Sequence, residues 1–490
     1  MPLRILFVAA EYAPLAKTGG LADVTSALSR FLHHNGQDVR VFLPYYRTIA
    51  EQPLTIAVVP GLEALELMLG AHRYTYRILT AQAPGSDLPL YFVDCPALYD
   101  RQGIYTNDAD EHRRFLLLTR AAFESALRMD FAPDLLHCHD WHTAFGPLLH
   151  QTRYADHAHF RAMRSVLTIH NIGYQGVFSS ADVTDLGLNV GTAGGVERLD
   201  PADLAQGRIN ALKHGVLYAD LITTVSPTYA QEITTPQYGE GLDGILRARR
   251  DRLVGILNGA DYAEWSPDRD PHLPVHFSKE ALAGKRILRQ RLATRLGLRL
   301  ESSTLLIGLV SRLVSQKGFD LLPPVLPDFL NQRDLALVAL GTGEPHYESF
   351  LRELTAAHPH RVYFHRGYHE ELAHWIEAAS DAFLMPSRYE PCGLNQIYSL
   401  RYGTIPIVRH TGGLADSVTH YCESNRDGTG VVFRDYDAPA LRWALDTTLS
   451  LHEQPTHWDR MMQNAMTQDF SWDQQGALYL TEYRKLLTTT

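Results

Sequence analysis

Short apolar runs alternate along this chain with stretches in which apolar residues recur at helical spacing. Leu3 to Ala10 is the first such run and reads as a buried strand. Beyond a loop, Leu21, Val24, Leu28, Phe31 and Leu32 fall on one face of a helix. Gly36 leads into a second strand, Asp38 to Tyr45, and residues 51 to 95 alternate apolar runs with turn residues in the manner of antiparallel strands. A helical period returns from Glu111 to Leu127, and Pro133 stops it. Runs at 134–139, 165–169 and 219–225 then end in Asp140-Trp141-His142, His170-Asn171 and Ser226-Pro227. Strands that keep ending in polar or aromatic residues before a helix predict a doubly wound parallel sheet. Its ligand crevice lies at the carboxyl ends of the strands.

The pattern breaks after Leu253 to Leu257. Asn258-Gly259-Ala260-Asp261, Trp265-Ser266-Pro267 and a proline-dotted stretch to Pro274 have the composition of a linker. It restarts with Leu305 to Val310, which ends in Ser311-Arg312, and Leu335 to Leu340, which ends in Gly341-Thr342-Gly343. Val362 to His365, Ala382 to Met385 and Ile405 to Val408 continue it, so a second α/β lobe is expected. Ser471 with Gln474 is a capping-box signature. The helix after it carries Tyr479, Tyr483, Leu486 and Leu487 on one face and needs a partner surface. The expected division is a first Rossmann-like lobe over 1–257, a second over 258–470, and a final helix over 471–490 that packs back on the first.

At 490 residues the chain is too long for one core. A formal net charge of −10 argues against non-specific binding to nucleic acid or to anionic membrane, so a phosphate-bearing ligand must meet a local island of Lys and Arg. Cys95, Cys138, Cys392 and Cys422 lack metal or scaffold spacing, and no N-x-[ST] site occurs, which fits a reducing cytoplasm. No run approaches the length of a membrane span. Arg4 and the run after it resemble a signal peptide faintly, but the run is short and Glu11 closes it.

Chemistry concentrates in the loops. Lys17-Thr18-Gly19-Gly20-Leu21-Ala22-Asp23-Val24 joins the first strand to the first helix. Its glycines let a ligand approach the backbone, and the amides of a helix start favour an anion. The same turn recurs as Thr411-Gly412-Gly413-Leu414-Ala415-Asp416, which suggests two similar lobes facing a shared anionic ligand. Ser387-Arg388-Tyr389-Glu390-Pro391-Cys392-Gly393-Leu394 makes a tight turn before a helix that ends near Gly403. Glu390 then lies at the crevice mouth, and the amides around Leu394 point at an anion. Cys392 reads as a small packing residue. Arg312 and Lys317 flank the loop after the first strand of the second lobe and together suit a diphosphate. His137, His139 and His142 raise the alternative of a metal-dependent hydrolase, although their spacing matches no ligand pattern. Gly341-Thr342-Gly343 lacks the third glycine of a dinucleotide fingerprint. Asp108 with Asp110, and Asp268 with Asp270, are acidic pairs in polar loops.

Taken in order, K-T-G-G-L-A-D-V at 17–24, H-D-W-H at 139–142, H-N at 170–171 and N-G-x-D at 258–261 resemble the glycogen and starch synthase family. S-R-L-x-x-Q-K-G at 311–318, G-T-G-E-P at 341–345, E-P-C-G-L-x-Q at 390–396 and T-G-G-L-A-D at 411–416 extend the likeness to the whole chain. The resemblance implies a GT-B fold, two Rossmann-like lobes with an interdomain cleft. It also implies retaining transfer of glucose from ADP-glucose to the non-reducing end of an α-1,4-glucan, with no metal and no cofactor. By position, Lys17, Arg312 and Lys317 hold the diphosphate and Gly19 and Gly20 admit it. Asn258 and His170 position the glucosyl unit, and Tyr368 stacks on adenine. Cys392, Gly393, Leu394, Thr411 and Gly412 complete the donor side. Glu390 stabilises positive charge at the anomeric centre, and Asp23 joins the catalytic group. Tyr105, Asp140, Trp141, His142 and Asn171 lie towards the acceptor. Many related retaining transferases carry a second Glu where this chain has Tyr398, which fits the glycogen and starch branch. A neighbouring GT-B transferase with another donor or acceptor is the closest alternative.

Overall fold

The computed structural model describes residues 2–188 and 195–488. The chain divides into two compact units. The first comprises Met1–Val225, Ala230–Gly259 and Trp472–Thr490, and the second Ser226–Tyr229 and Ala260–Ser471. Asn258 and Gly259 thus belong with the first unit rather than the second, and Ser226–Tyr229 with the second rather than the first.

The first unit is built on a ten-stranded sheet. Seven parallel strands run in the order Leu253–Gly255, Leu221–Thr224, Arg164–Ile169, Leu135–His139, Arg4–Val8, Asp38–Pro44, Pro89–Asp94. The expected antiparallel strands within 51–95 are Ala57–Val58, Leu65–Leu69 and His72–Gln82, stacked on that edge. From Arg4–Val8 the chain first builds outward on one side and later returns to Leu135–His139 on the other. This reversal opens a crevice at the carboxyl ends of those two strands. The central strands are buried on both faces, which explains why they read as unbroken apolar runs.

The last helix, Trp472–Thr488, belongs to this unit. Tyr479 and Tyr483 are fully buried, and the Tyr483 hydroxyl bonds His137 Nδ1 at 2.8 Å. A Cβ on Gly476 would lie 2.3 Å from the Phe31 ring, so only glycine lets the helix sit this close to Gly20–His34. A Cβ on Gly259 would likewise meet Trp472 at 2.6 Å.

The second unit holds a six-stranded, wholly parallel sheet in the order Val362–Arg366, Leu335–Gly341, Leu305–Val310, Ala382–Met385, Ile405–Arg409, Val431–Phe433. Counted within the unit this is 3-2-1-4-5-6, with its reversal between Leu305–Val310 and Ala382–Met385. The last strand, only three residues long, escapes the apolar pattern. The stretch expected to be a linker is docked instead. Ser266 and Asp270 are fully buried, Asp270 accepts from Tyr402 at 2.5 Å and pairs with His374 at 2.8 Å, and Trp265 stacks on His374 and Tyr398. Asp270 is thus a core hydrogen-bond acceptor, and Tyr398, in the position of the second Glu, supports that aromatic stack.

Candidate functional site

The chemistry-bearing residues of the second unit gather at its strand reversal. Arg312, Lys317, Gly393 and Leu394 line one cavity of about 200 Å³ with Ser387 and Asn395. Leu305–Val310 delivers Ser311 and Arg312 to it, and Ala382–Met385 delivers Pro386 and Ser387. Gly318, with φ +77°, keeps the Lys317 turn tight, and a Cβ there would lie 2.0 Å from the Pro386 carbonyl. Lys317 Nζ donates to Glu390 Oε2 at 2.6 Å, and the Ser387 hydroxyl donates to the same oxygen at 3.0 Å. Glu390 is 4% exposed, so this carboxylate is held rigidly with little access to water. Asn395 begins the helix Asn395–Tyr402, and Gly403 ends it in the left-handed region at φ +63°. The Asn395 amide donates to the Val310 carbonyl at 3.0 Å, which fixes the helix start over the cavity. The cavity thus offers a guanidinium, an ammonium and the amide end of a helix on one side, a combination suited to a diphosphate.

Cys392 is buried and its carbonyl accepts from the Gln396 side chain at 3.0 Å, a packing role. Tyr368 is 73% exposed. The glycines at 341 and 343 have a structural cause. Any Cβ there would meet the Ser311 carbonyl at 1.9 Å or the Leu313 carbonyl at 2.2 Å.

The two T-G-G-L-A-D turns are not equivalent. In the second, Thr411 is fully buried, and Cβ atoms on Gly412 and Gly413 would lie 2.0 Å from the Glu390 carbonyl and 2.1 Å from that of Cys392. Those glycines make room for protein backbone, and Asp416 accepts from the Thr228 amide and hydroxyl, each at 2.7 Å. In the first, Gly19 and Gly20 have nothing within 4 Å of an added Cβ. Only the first turn presents open space for a ligand.

In the first unit Lys17 Nζ donates to Asp23 at 2.7 Å. The anion-favouring amides at Thr18 and Gly19 are met by the chain itself. The Glu11 carboxylate accepts the Thr18 amide at 2.6 Å and the Gly19 amide at 3.3 Å. Glu11 also accepts the Thr18 hydroxyl at 2.7 Å and the Tyr105 hydroxyl at 2.5 Å. Sequence reasoning missed it. Its signal was a carboxylate directly after a buried strand at the crevice end, where it was read merely as closing the apolar run. Tyr105 stacks on His142, with ring centroids 4.9 Å apart.

Asp140 occupies the left-handed region at φ +51° and accepts the His170 amide at 2.7 Å and the Asn171 amide at 3.3 Å. Burial pushes its carboxyl up to about 7, with the Glu11 charge adding to the shift. Burial likewise depresses His142 and His170 to about 3, so both imidazoles are neutral. His170 Nε2 bonds His139 Nδ1 at 3.0 Å. A Cβ on Gly176 would lie 2.1 Å from the Trp141 ring, so backbone covers part of that indole. Asn258 is 5% exposed.

The hydrolase alternative loses its ligand set. Both His137 nitrogens are hydrogen-bonded, to Thr168 at 2.7 Å and to Tyr483, and its ring pins the last helix. Among the described residues, His137, His139 and His142 form no metal-type cluster, and no helix is long and apolar enough to cross a membrane.

Comparison with known proteins identifies the family. Residues 4–248 match the family model for the starch synthase catalytic domain, and residues 295–465 that for glycosyl transferases group 1. Glycogen synthase 1 of Geobacter sulfurreducens is 40% identical, over 99% of this chain and 96% of its own. The glycogen synthase of Thermotoga maritima is 40% identical over 99% of each. The solved catalytic domain of starch synthase IV from Arabidopsis thaliana, bound to ADP and acarbose, superposes with a TM-score of 0.90 at 33% identity and covers both chains completely. Sucrose-phosphate synthase from Thermosynechococcus elongatus, at 16% identity and a TM-score of 0.60, shares the fold alone. A two-domain GT-B glycosyltransferase that transfers glucosyl units in glycogen synthesis, this chain belongs to the glycogen synthase family.

Proposed function

We propose that the donor is ADP-glucose and the acceptor the non-reducing end of an α-1,4-glucan, with retention at the anomeric carbon. The observation that carries this reading is the cavity bearing Arg312 and Lys317, with Glu390 fixed behind Lys317. In the reaction the bond between the anomeric carbon and the diphosphate breaks. Negative charge gathers on the leaving phosphate, and the sugar becomes oxocarbenium-like. Arg312, Lys317 and the helix amides at Leu394 stabilise the first charge, and Glu390 the second. Lys317 and Glu390 are held by their mutual contact and by Ser387 before the reaction, so little reorganisation of that pair opposes it. The departing phosphate accepts the proton of the incoming hydroxyl, and the new glycosidic bond forms on the face the phosphate leaves.

In the first unit Lys17 and the open turn at Gly19 and Gly20 serve the diphosphate, with Asp23 orienting Lys17. His170 and Asn258 address the glucosyl hydroxyls. Neutral His142 with Tyr105, Asp140, Trp141 and Asn171 form the acceptor side. Tyr368 carries the adenine, as its exposure supports, and Cys392, Gly393, Thr411 and Gly412 shape the donor side through their backbone. The Arabidopsis relative with ADP and acarbose bound supports both ligand classes. We place the protein in the cytoplasm, in keeping with cysteines that form no disulfide among the described residues.

Incorporation of labelled glucose from ADP-glucose and from UDP-glucose into a maltooligosaccharide primer tests the reading. Transfer from ADP-glucose is expected to dominate. Preference for UDP-glucose, or for a non-glucan acceptor, would move the chain to a neighbouring GT-B activity.

A further inference from the structure

We infer that Glu11 is a positioning residue whose single carboxylate sets both the Lys17–Gly20 turn and the Tyr105–His142 pair. The inference rests on the functional reading above, in which the turn serves the donor and the aromatic pair the acceptor. Glu11 follows Arg4–Val8 into the crevice of the first unit and is 3% exposed. Its two oxygens divide the work. Oε2 takes the amides of Thr18 and Gly19, and Oε1 takes the hydroxyls of Thr18 and Tyr105. The Glu11 backbone is fixed as well, because the Thr25 hydroxyl of the helix Gly20–His34 donates to its carbonyl at 2.7 Å.

The two amides can only donate, whereas the two hydroxyls donate to a carboxylate but can also turn and accept. A glutamine keeps an oxygen for the amides but offers its NH₂ to the hydroxyls, which must reverse, and it replaces charge-assisted bonds by neutral ones about half as strong. The anchors of the turn and of Tyr105 are then both weakened. Tyr105 also stacks on His142, so a shift of its hydroxyl tilts the ring that flanks the acceptor side. Donor and acceptor geometry are thereby coupled through one group.

The test uses steady-state transfer from ADP-glucose to a glucan primer by the full chain. Glu11→Gln is expected to raise the KM for ADP-glucose about 3-fold and lower kcat/KM about 10-fold, the range of exchanging charge-assisted hydrogen bonds for neutral ones. Its melting temperature should stay within about 4 °C of wild type. Tyr105→Phe, although remote from the turn, is expected to raise the KM for ADP-glucose about 3-fold as well as that for the primer. In the double variant the two effects on donor KM should fall short of multiplying, because both act through one carboxylate. Thr18→Val removes one donor to Oε1 and carries the same test if Glu11→Gln does not fold. A wild-type donor KM in Glu11→Gln or Thr18→Val, or full multiplication in the double variant, overturns the inference. A wild-type enzyme that transfers nothing from ADP-glucose instead overturns the functional reading, and shows it before any variant is made.

Discussion

Lys317 and Glu390 form an ion pair whose two ends differ in exposure, and removing either end has a different consequence. Lys317→Met leaves Glu390, 4% exposed, with the Ser387 hydroxyl but without its ammonium. Breaking a buried pair from one side costs about 3–5 kcal/mol, because the surviving charge has neither partner nor water. The Lys317 side chain is 19% exposed, so some water reaches that end and a loss of about 2–3 kcal/mol is expected. Glu390→Gln strands the lysine instead, which can turn to solvent, and should cost about 1 kcal/mol. The double variant replaces both charges by groups of similar shape and should recover most of the loss, a coupling of about 2 kcal/mol. Urea unfolding followed by far-UV circular dichroism measures all three. Transfer activity should fall by about 10²–10⁴ in each, including the double variant, since stability and chemistry use the pair differently. If Lys317→Met and the double variant unfold at the same urea concentration, the ammonium is not what holds Glu390 in place, and the reasoning fails.

Other outcomes follow from single contacts. Gly413→Ala should unfold the second unit or cut its expression sharply, since its Cβ would overlap the Cys392 carbonyl, whereas Gly19→Ala, with open space and φ −164°, should melt normally yet lose activity. Equal melting temperatures in the two variants would contradict this. Gly476→Val should cost about 2 kcal/mol or more by pushing the last helix off Phe31, and Phe31→Ala should restore part of it, as thermal melts can record. His137, His142 and His170, each depressed to about 3 by burial, take up protons when unfolded but not when folded as pH falls below 6.5. Stability should therefore drop with acid by about 1.4 kcal/mol per pH unit for each. Asp140, raised to about 7, works the other way, since its contribution is lost as pH rises from about 4 to 7. Burial also pushes His139 down and Glu377 up, so the depressed imidazoles still outnumber the raised carboxyls and predict a net loss between pH 6 and pH 4, and a flat melting profile there would refute it.

The parallel strands were legible because burial on both faces turns them into apolar runs, and Leu305–Val310 and Ala382–Met385 were read to the residue. Val431–Phe433 was not, since three residues carry no period. The docked Trp265–Asp270 segment read as a linker for a related reason. Its anchors are aromatic stacking and a buried carboxylate, and neither leaves a periodic trace. Lys317 and Glu390 were legible as separate charges at strand ends, but their 2.6 Å pairing depends on the turn at Gly318. The repeated T-G-G-L-A-D shows how far identical letters reach. They specify a turn, and the neighbours decide whether its space is left open or filled with backbone. Glu11 stayed hidden because its four donors come from a turn beside it and a tyrosine far along the chain.

The return of Trp472–Thr488 to the first unit has a consequence for biosynthesis. A ribosome makes the sheet beginning at Arg4 first, yet the surface over Phe31 and His137 is covered only by residues translated after the entire second unit. The nascent amino-terminal half therefore waits with an uncovered apolar patch, exposed to chaperones and to aggregation, until its closing piece emerges.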